Sequence, residues 1–293
     1  MQDSHAKHLI RSMRNTPQLS VVAQTSGILF VDKPPGLGFH TEGDQLGVMP
    51  RLRAMQKEGQ IAHDGRLFAV HRLDRVTSGL LMVAKTPEAA QELSLLLRER
   101  RLHKYYVALS ARKPKKKQGR VQGDMARSRR GQWMLTRGAS APAITHFLSQ
   151  PLPDHHAFLL SPRTGKTHQL RVALKSLGSP VLGDQMYAEA TAARREERAY
   201  LHAAALRLPA TPALLSLDDR LHAECCQGGM FGVVCRPSEG AEFTSPQFVS
   251  LFRTWFPSDK PLAVDEPWFA GTAVATAPSH RVPTREEQAS RRV

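Results

Sequence analysis

The chain has 293 residues, of which 41% are apolar, and its 41 Lys and Arg against 26 Asp and Glu give a formal charge of +15. Such a composition excludes global disorder and provides enough chain for a sizeable core in one large or two moderate domains. It also fits a polyanionic partner, nucleic acid or an anionic membrane surface.

No apolar run reaches the roughly 18 residues that span a bilayer, and the N-terminal stretch lacks the apolar region of a secretory signal. The three cysteines, Cys225, Cys226 and Cys235, make no disulfide framework. A soluble protein of a reducing, intracellular compartment is expected, with no membrane partner.

In chain order, residues 1–26 mix basic and polar types without periodicity and read as a loose basic arm. Residues 27–33 read as a strand stopped by Pro34-Pro35-Gly36. The glycines that follow lack the spacing and the Lys-Ser/Thr ending of a phosphate-binding loop. A basic helix is expected within 45–58.

Residues 67–70 and 80–84 are short apolar runs around a polar loop that sets Asp74 between Arg72 and Arg75. Positive charge on both sides favours the charged form of a carboxylate. Taken alone the pattern describes either an active-site acid or an ordinary surface ion pair. Thr86-Pro87-Glu88 then opens a helix with a capping hydroxyl and a proline at the first position. Ala89, Leu93, Leu96 and Leu97 form its core stripe, with Arg98, Arg100 and Arg101 near its end. Residues 104–109 return to strand, which puts Tyr105 and Tyr106 on opposite faces.

The window 112–137 holds ten basic residues and Asp124 as its one acid, so it supplies +9 of the total charge. It reads as an extended hairpin or loop. Lys115, Lys116, Lys117, Arg129 and Arg130 are suited to RNA phosphates, the alternative being a solvated charged face. Trp133 is the single aromatic inside it, which excludes base stacking as the main binding mode there.

Residues 143–149 and 155–161 read as two strands. A helix is expected over 166–177, closed by Gly178, with Leu170, Ala173, Leu174 and Leu177 inward and His168, Arg171 and Lys175 on another face. A charged surface helix over 188–199, a strand over 200–208 and a core-closing apolar segment over 243–256 follow. Residues 257–293 carry five basic and five acidic residues with five prolines, a composition of weak order. His222, Glu224, Cys225, Cys226 and Cys235 offer zinc-ligand types, but no Cys-x-x-Cys pair, so no metal is expected.

Three segments together resemble the RluA family of RNA pseudouridine synthases, in the family's order. They are His71-Arg72-Leu73-Asp74-Arg75-Val76-Thr77-Ser78-Gly79-Leu80-Leu81, then Lys104-Tyr105-Tyr106, then Thr164-Gly165-Lys166-Thr167-His168-Gln169-Leu170-Arg171-Val172. Lys33-Pro34-Pro35-Gly36-Leu37, Leu182-Gly183-Asp184 and Leu201-His202-Ala203 also match. Lys166 stands where the family usually has Arg, and Ala173 where it commonly has His, so charge survives at 166 without a guanidinium fork.

The resemblance implies an α+β fold with a mixed, largely antiparallel sheet split around a central cleft and flanked by helices. It implies a catalytic domain over 27–256 with a basic insertion at about 111–138, an arm over 1–26 and a tail over 257–293. With about 26 residues ahead of that domain, no S4-like RNA-binding module is expected before it.

Asp74, Tyr106 and Arg171 become the catalytic candidates. Arg72, Arg75, Lys104, Lys166 and His168 join the basic window as RNA-binding candidates. The implied activity is isomerisation of a uridine in ribosomal or transfer RNA by a cytoplasmic monomer, without cofactor and without an obligatory protein partner. A non-catalytic RNA-binding or ribosome-assembly protein on the same fold is the alternative.

Overall fold

The computed structural model describes residues 18–138, 140–216 and 230–257. Its strands are β1 (Ser20–Gln24), β2 (Ile28–Lys33), β3 (Phe68–Ala69), β4 (Ser78–Ala84), β5 (His103–Ser110) and β6 (Gln118–Arg127). They continue as β7 (Trp133–Thr136), β8 (Ala143–Pro151), β9 (His156–Pro162), β10 (Leu201–Pro209) and β11 (Met230–Val234). They form one sheet in the order β1-β2-β4-β10-β5-β9-β8-β6-β7, with β3 also on β4 and β11 also on β10.

The pairing of β4 with β10 is parallel and spans two registers, His202↔Ser78 and Ala203↔Gly79; the other named pairs are antiparallel. At that junction a Cβ on Gly79, whose φ is +103°, would collide with the backbone of Ala203. Glycine is therefore what lets the two halves of the sheet meet.

The helices are α1 (Val48–Lys57), α2 (Pro87–Arg98), α3 (Gln169–Ser176), α4 (Ala190–Ala193), α5 (Pro212–Leu215), α6 (Ala241–Thr244) and α7 (Pro246–Trp255). α2 starts as its sequence dictates: Thr86 Oγ1 accepts the Ala89 N–H at 3.1 Å, with Pro87 at the first position. Helices α1, α2 and α3 bury Leu52, Leu93 and Leu174 in one core cluster, which includes Tyr106. Phe243, Phe248, Phe252 and Trp255 cover the other face with Tyr105. The two tyrosines thus point to opposite sides, as strand alternation requires.

Several expectations change. The arm expected over 1–26 contains strand β1, because Leu19, Val21 and Ala23 alternate and pack on the core; residues 1–17 lie outside the described residues. The helix expected over 166–177 starts at Gln169, since His168 is left-handed at φ +57°.

The helix expected over 188–199 is the single turn α4. There Glu197 turns away to Tyr200 Oη, and Arg198 is drawn into the core, donating to Ser78 Oγ and Glu239 O. These tertiary bonds outweigh the local helical tendency. The basic window is a hairpin, β6–β7, joined through β6 to β8 at the end of the sheet. The tail beyond residue 257, and His222, Glu224, Cys225 and Cys226 of the zinc reading, lie outside the described residues.

Candidate active site

The loop carrying Asp74 runs from β3 to β4 and is held by a lysine from another strand. Lys33, fully buried at the end of β2, donates from Nζ to Pro34 O, Leu37 O and Arg75 O at 2.8, 3.0 and 3.3 Å. Burial and then the charge of Arg198 push its ammonium down to about 7. The Gly36 N–H donates to Arg75 O, and the Thr77 N–H closes a tight turn onto Asp74 O at 3.1 Å. From inside, His71 Nε2 accepts the Met82 N–H at 3.0 Å; burial and then Lys104 hold this imidazole down at about 3, so it stays neutral.

Arg171 reaches the same loop from α3. Asp184 grips its guanidinium with both carboxylate oxygens, Nε to Oδ2 at 2.7 Å and Nη2 to Oδ1 at 2.8 Å, and this carboxylate is fully buried. The remaining Nη1 faces Asp74 Oδ2 at 3.4 Å, and the Asp74 side chain keeps 21% of its surface exposed. One guanidinium thus serves two acids unequally: Asp184 anchors it, and Asp74 takes the longer contact while open to the cleft.

The cleft measures about 640 Å³, and Asp74 is its one carboxylate among the described residues. Arg72, Arg98, Arg100, Lys104, Arg163 and Lys166 line it with His71 and His168. Tyr106 lines it from β5, its phenol pushed up by burial and by the charge of Asp74, and therefore protonated. The loop from Thr164 to His168 is organised by the buried amide of Gln169. Its Oε1 accepts Thr164 Oγ1–H at 2.7 Å and the Lys166 N–H at 3.0 Å, while its Nε2 donates to Ile144 O and Thr145 Oγ1.

The structure brings together Asp74, Tyr106, Arg171, Arg72, Lys104, Lys166 and His168. Arg75 is directed elsewhere, bonding Glu42 Oε2 at 2.7 Å, Gly36 O and Gln45 Oε1. The sequence pattern of an acid between two arginines therefore does not describe the acid's actual partner, because adjacent residues in a turn diverge. Lys115, Lys116, Lys117, Arg129 and Arg130 are exposed on the hairpin and its lead-in, and none lines the cleft.

Arg98, Arg100 and Arg163 enter the cleft although the sequence pattern did not mark them for it, and Asp184 and Tyr187 take supporting places beside it. Asp184 belongs to the Leu182-Gly183-Asp184 motif, and the arginine cluster after α2 was a further signal in the linear chain.

Similarity to known proteins shows the family. Residues 27–176 match the RNA pseudouridylate synthase family. The chain belongs to that family. It is 41% identical over 230 residues to an uncharacterized RNA pseudouridine synthase of Haemophilus influenzae, covering 78% of this chain and 92% of the relative. It is 35% identical to the dual-specificity RNA pseudouridine synthase RluA of Salmonella typhi, over 66% of this chain and 87% of that one.

Among solved structures, human RNA pseudouridylate synthase domain containing 4 is similar at a TM-score of 0.58 and 26% identity, covering 80% of this chain and 92% of that chain. The RluA-like pseudouridine synthase fold expected from the motifs is the fold observed, a mixed and mostly antiparallel sheet with flanking helices. The synthase is an isomerase that converts uridine to pseudouridine in RNA. No helix among the described residues is long and apolar enough to cross a membrane.

A second group of ligand types lies at the β4–β10 junction, where Asp32, His202 and Cys235 place one donor atom each within 4.8 Å of one another. Both ring nitrogens of His202 are already engaged. Arg198 can only donate to Ser78 Oγ, so the serine O–H donates to His202 Nδ1, and Nε2–H donates to Cys235 O. With the Arg198 cation beside it, this is a hydrogen-bonded seam suited to holding the two halves of the sheet.

Proposed function

We propose that Asp74 is the catalytic carboxylate of this synthase, that Arg171 orients it, and that Tyr106 packs against the target base. The observation that carries the proposal is a part-exposed carboxylate, the one among the described residues of a basic cleft, met by a buried guanidinium that a second acid holds in place. Isomerisation breaks the glycosidic bond, turns the base over and rejoins it through carbon. An ionised, oriented carboxylate suits attack on the sugar or base, or removal of a proton from the sugar. Tyr106, being protonated, serves as a packing surface and hydrogen-bond donor rather than as a resident base.

The substrate is a structured ribosomal or transfer RNA whose uridine is flipped into the cleft, with unstacking offset by phosphate contacts. Arg72, Lys104, Lys166 and His168 make these contacts at the cleft, while Lys115, Lys116, Lys117, Arg129 and Arg130 supply attraction from the hairpin. The catalytic domain over 27–256, extended by β1, acts as a cytoplasmic monomer without cofactor or obligatory protein partner.

Asp74→Asn tests this. Pseudouridine formation on a responsive RNA, read by chemical labelling because the product has the same mass, is expected to fall by roughly 10⁴-fold with RNA binding retained. Wild-type turnover would reject Asp74 as the catalytic group.

A further inference from the structure

The tip of the basic hairpin is tied by hydrogen bonds to the chain that follows α3. Gln132 Nε2 donates to Met186 O at 2.7 Å, and the Trp133 N–H donates to Tyr187 Oη at 2.8 Å. Tyr187 is 4% exposed. Its ring lies against the Arg171 guanidinium at 4.9 Å and the Lys175 ammonium at 5.4 Å, and meets the His168 ring nearly perpendicularly at 5.7 Å. The backbone N–H groups of Met186 and Tyr187 both donate to Asp184 Oδ1, the oxygen that also receives Arg171 Nη2.

Tyr187 Oη is also 2.9 Å from His168 Nδ1. A backbone N–H can only donate, so Trp133 takes one acceptor site of Oη, and the phenolic proton is free to turn to Nδ1. Burial and then Arg171 hold His168 below the usual histidine range; Asp74 and Asp184 oppose this, and Arg72 adds to it. A neutral imidazole that accepts at Nδ1 carries its proton on Nε2. With the phenolic proton on that bond, the relay runs from the hairpin amide through Tyr187 to an Nε2–H donor on the cleft wall. His168 holds this place at φ +57°, a conformation rare for a non-glycine residue and sustained only when its surroundings over-determine it.

We infer that Tyr187 is a positioning residue: its hydroxyl locks His168 as an Nε2–H donor at the cleft, its ring seats Arg171 against Asp74, and the hairpin tip fixes both. The inference rests on reading Asp74 and Arg171 as the working pair. RNA drawn to Arg129 and Arg130 engages the segment adjoining Gln132 and Trp133, so binding at the sheet edge steadies the chemistry in the cleft.

Tyr187→Phe keeps the ring and removes the hydroxyl. Its kcat is expected to fall about tenfold, the effect of losing one aligned hydrogen bond, with the dissociation constant for RNA within about twofold of wild type. His168→Ala should show a similar loss, and adding Tyr187→Phe to it should cost at most the few-fold effect of loosening the tip, because the hydroxyl otherwise acts through His168.

Gln132→Ala, which loosens the tip without touching the cleft, should lower kcat about threefold and keeps the test available if Tyr187→Phe fails to fold. Wild-type kcat in Tyr187→Phe, or losses that multiply in full in the double variant, would overturn the positioning role; wild-type kcat in Gln132→Ala would overturn the hairpin's part in it. Asp74→Asn assayed alongside separates the two claims. Inactive Asp74→Asn beside normal Tyr187→Phe rejects the positioning role alone, whereas active Asp74→Asn rejects the catalytic reading beneath it.

Discussion

Arg171, behind Asp74, has 5% of its side chain exposed and grips Asp184 through two bonds, whereas Arg129, Arg130 and Lys115 to Lys117 at the end of the sheet stand in solvent. The two regions hold the same kind of charge in different surroundings. A buried, doubly bonded guanidinium has one geometry and can orient a second carboxylate. Exposed cations on flexible stems are poor at orientation and good at long-range attraction, because their field is set by number more than by placement. On the reading proposed above, catalytic order and substrate capture sit on separate parts of one sheet, joined through Tyr187.

The comparison can be broken most forcefully at Arg171. Replacing it with alanine leaves Asp184 buried without its counter-charge, a loss that costs about 3–5 kcal/mol. Chemical denaturation should register it, and turnover should collapse with it. If Arg171→Ala were as stable as wild type, the Arg171–Asp184 pair would be no more specified than the hairpin.

A smaller effect is expected at the other region. Changing Lys115, Lys116 and Lys117 to serine should leave kcat at saturating RNA unaltered while flattening the salt dependence of binding. The slope of log affinity against log salt should drop by roughly 0.7–0.9 for each RNA phosphate that these lysines neutralise. An unchanged slope would remove the hairpin lead-in from the RNA interface.

A third test uses acid, and its effect at any one pH step is small. His71 is held at about 3 against an ordinary value of 6.5, so below pH 6.5 the unfolded chain binds a proton that the folded chain refuses. Stability must fall as pH drops from 6.5 towards 3, by up to about 1.4 kcal/mol per pH unit from this group. His71→Asn should flatten that part of the stability curve, measured by urea denaturation at successive pH values. An equal slope in both proteins would mean that His71 is not the half-buried neutral group described.

Much of this was legible in the linear chain. The capped start of α2, the opposed tyrosines of β5, the hairpin character of the basic window and the α+β class follow from local chemistry, or from motifs whose order the fold preserves. The roles of single charges were not legible. Arg75 adjoins Asp74 yet pairs with Glu42, and Glu197 and Arg198 leave a helical stretch to satisfy partners more than forty residues away.

Sequence by itself determined that an acid sits in a polar loop between two strands, that the chain is strongly basic, and that most of the excess is local. Tertiary structure decided which cation meets that acid. Composition and periodicity describe what each segment can bury, whereas a guanidinium shared between Asp184 and Asp74 depends on α3, the turn after it and the Asp74 loop arriving at one point. That convergence is a property of the packed sheet, in which Lys33, Gly79 and Tyr187 each fix a distance that no local pattern specifies.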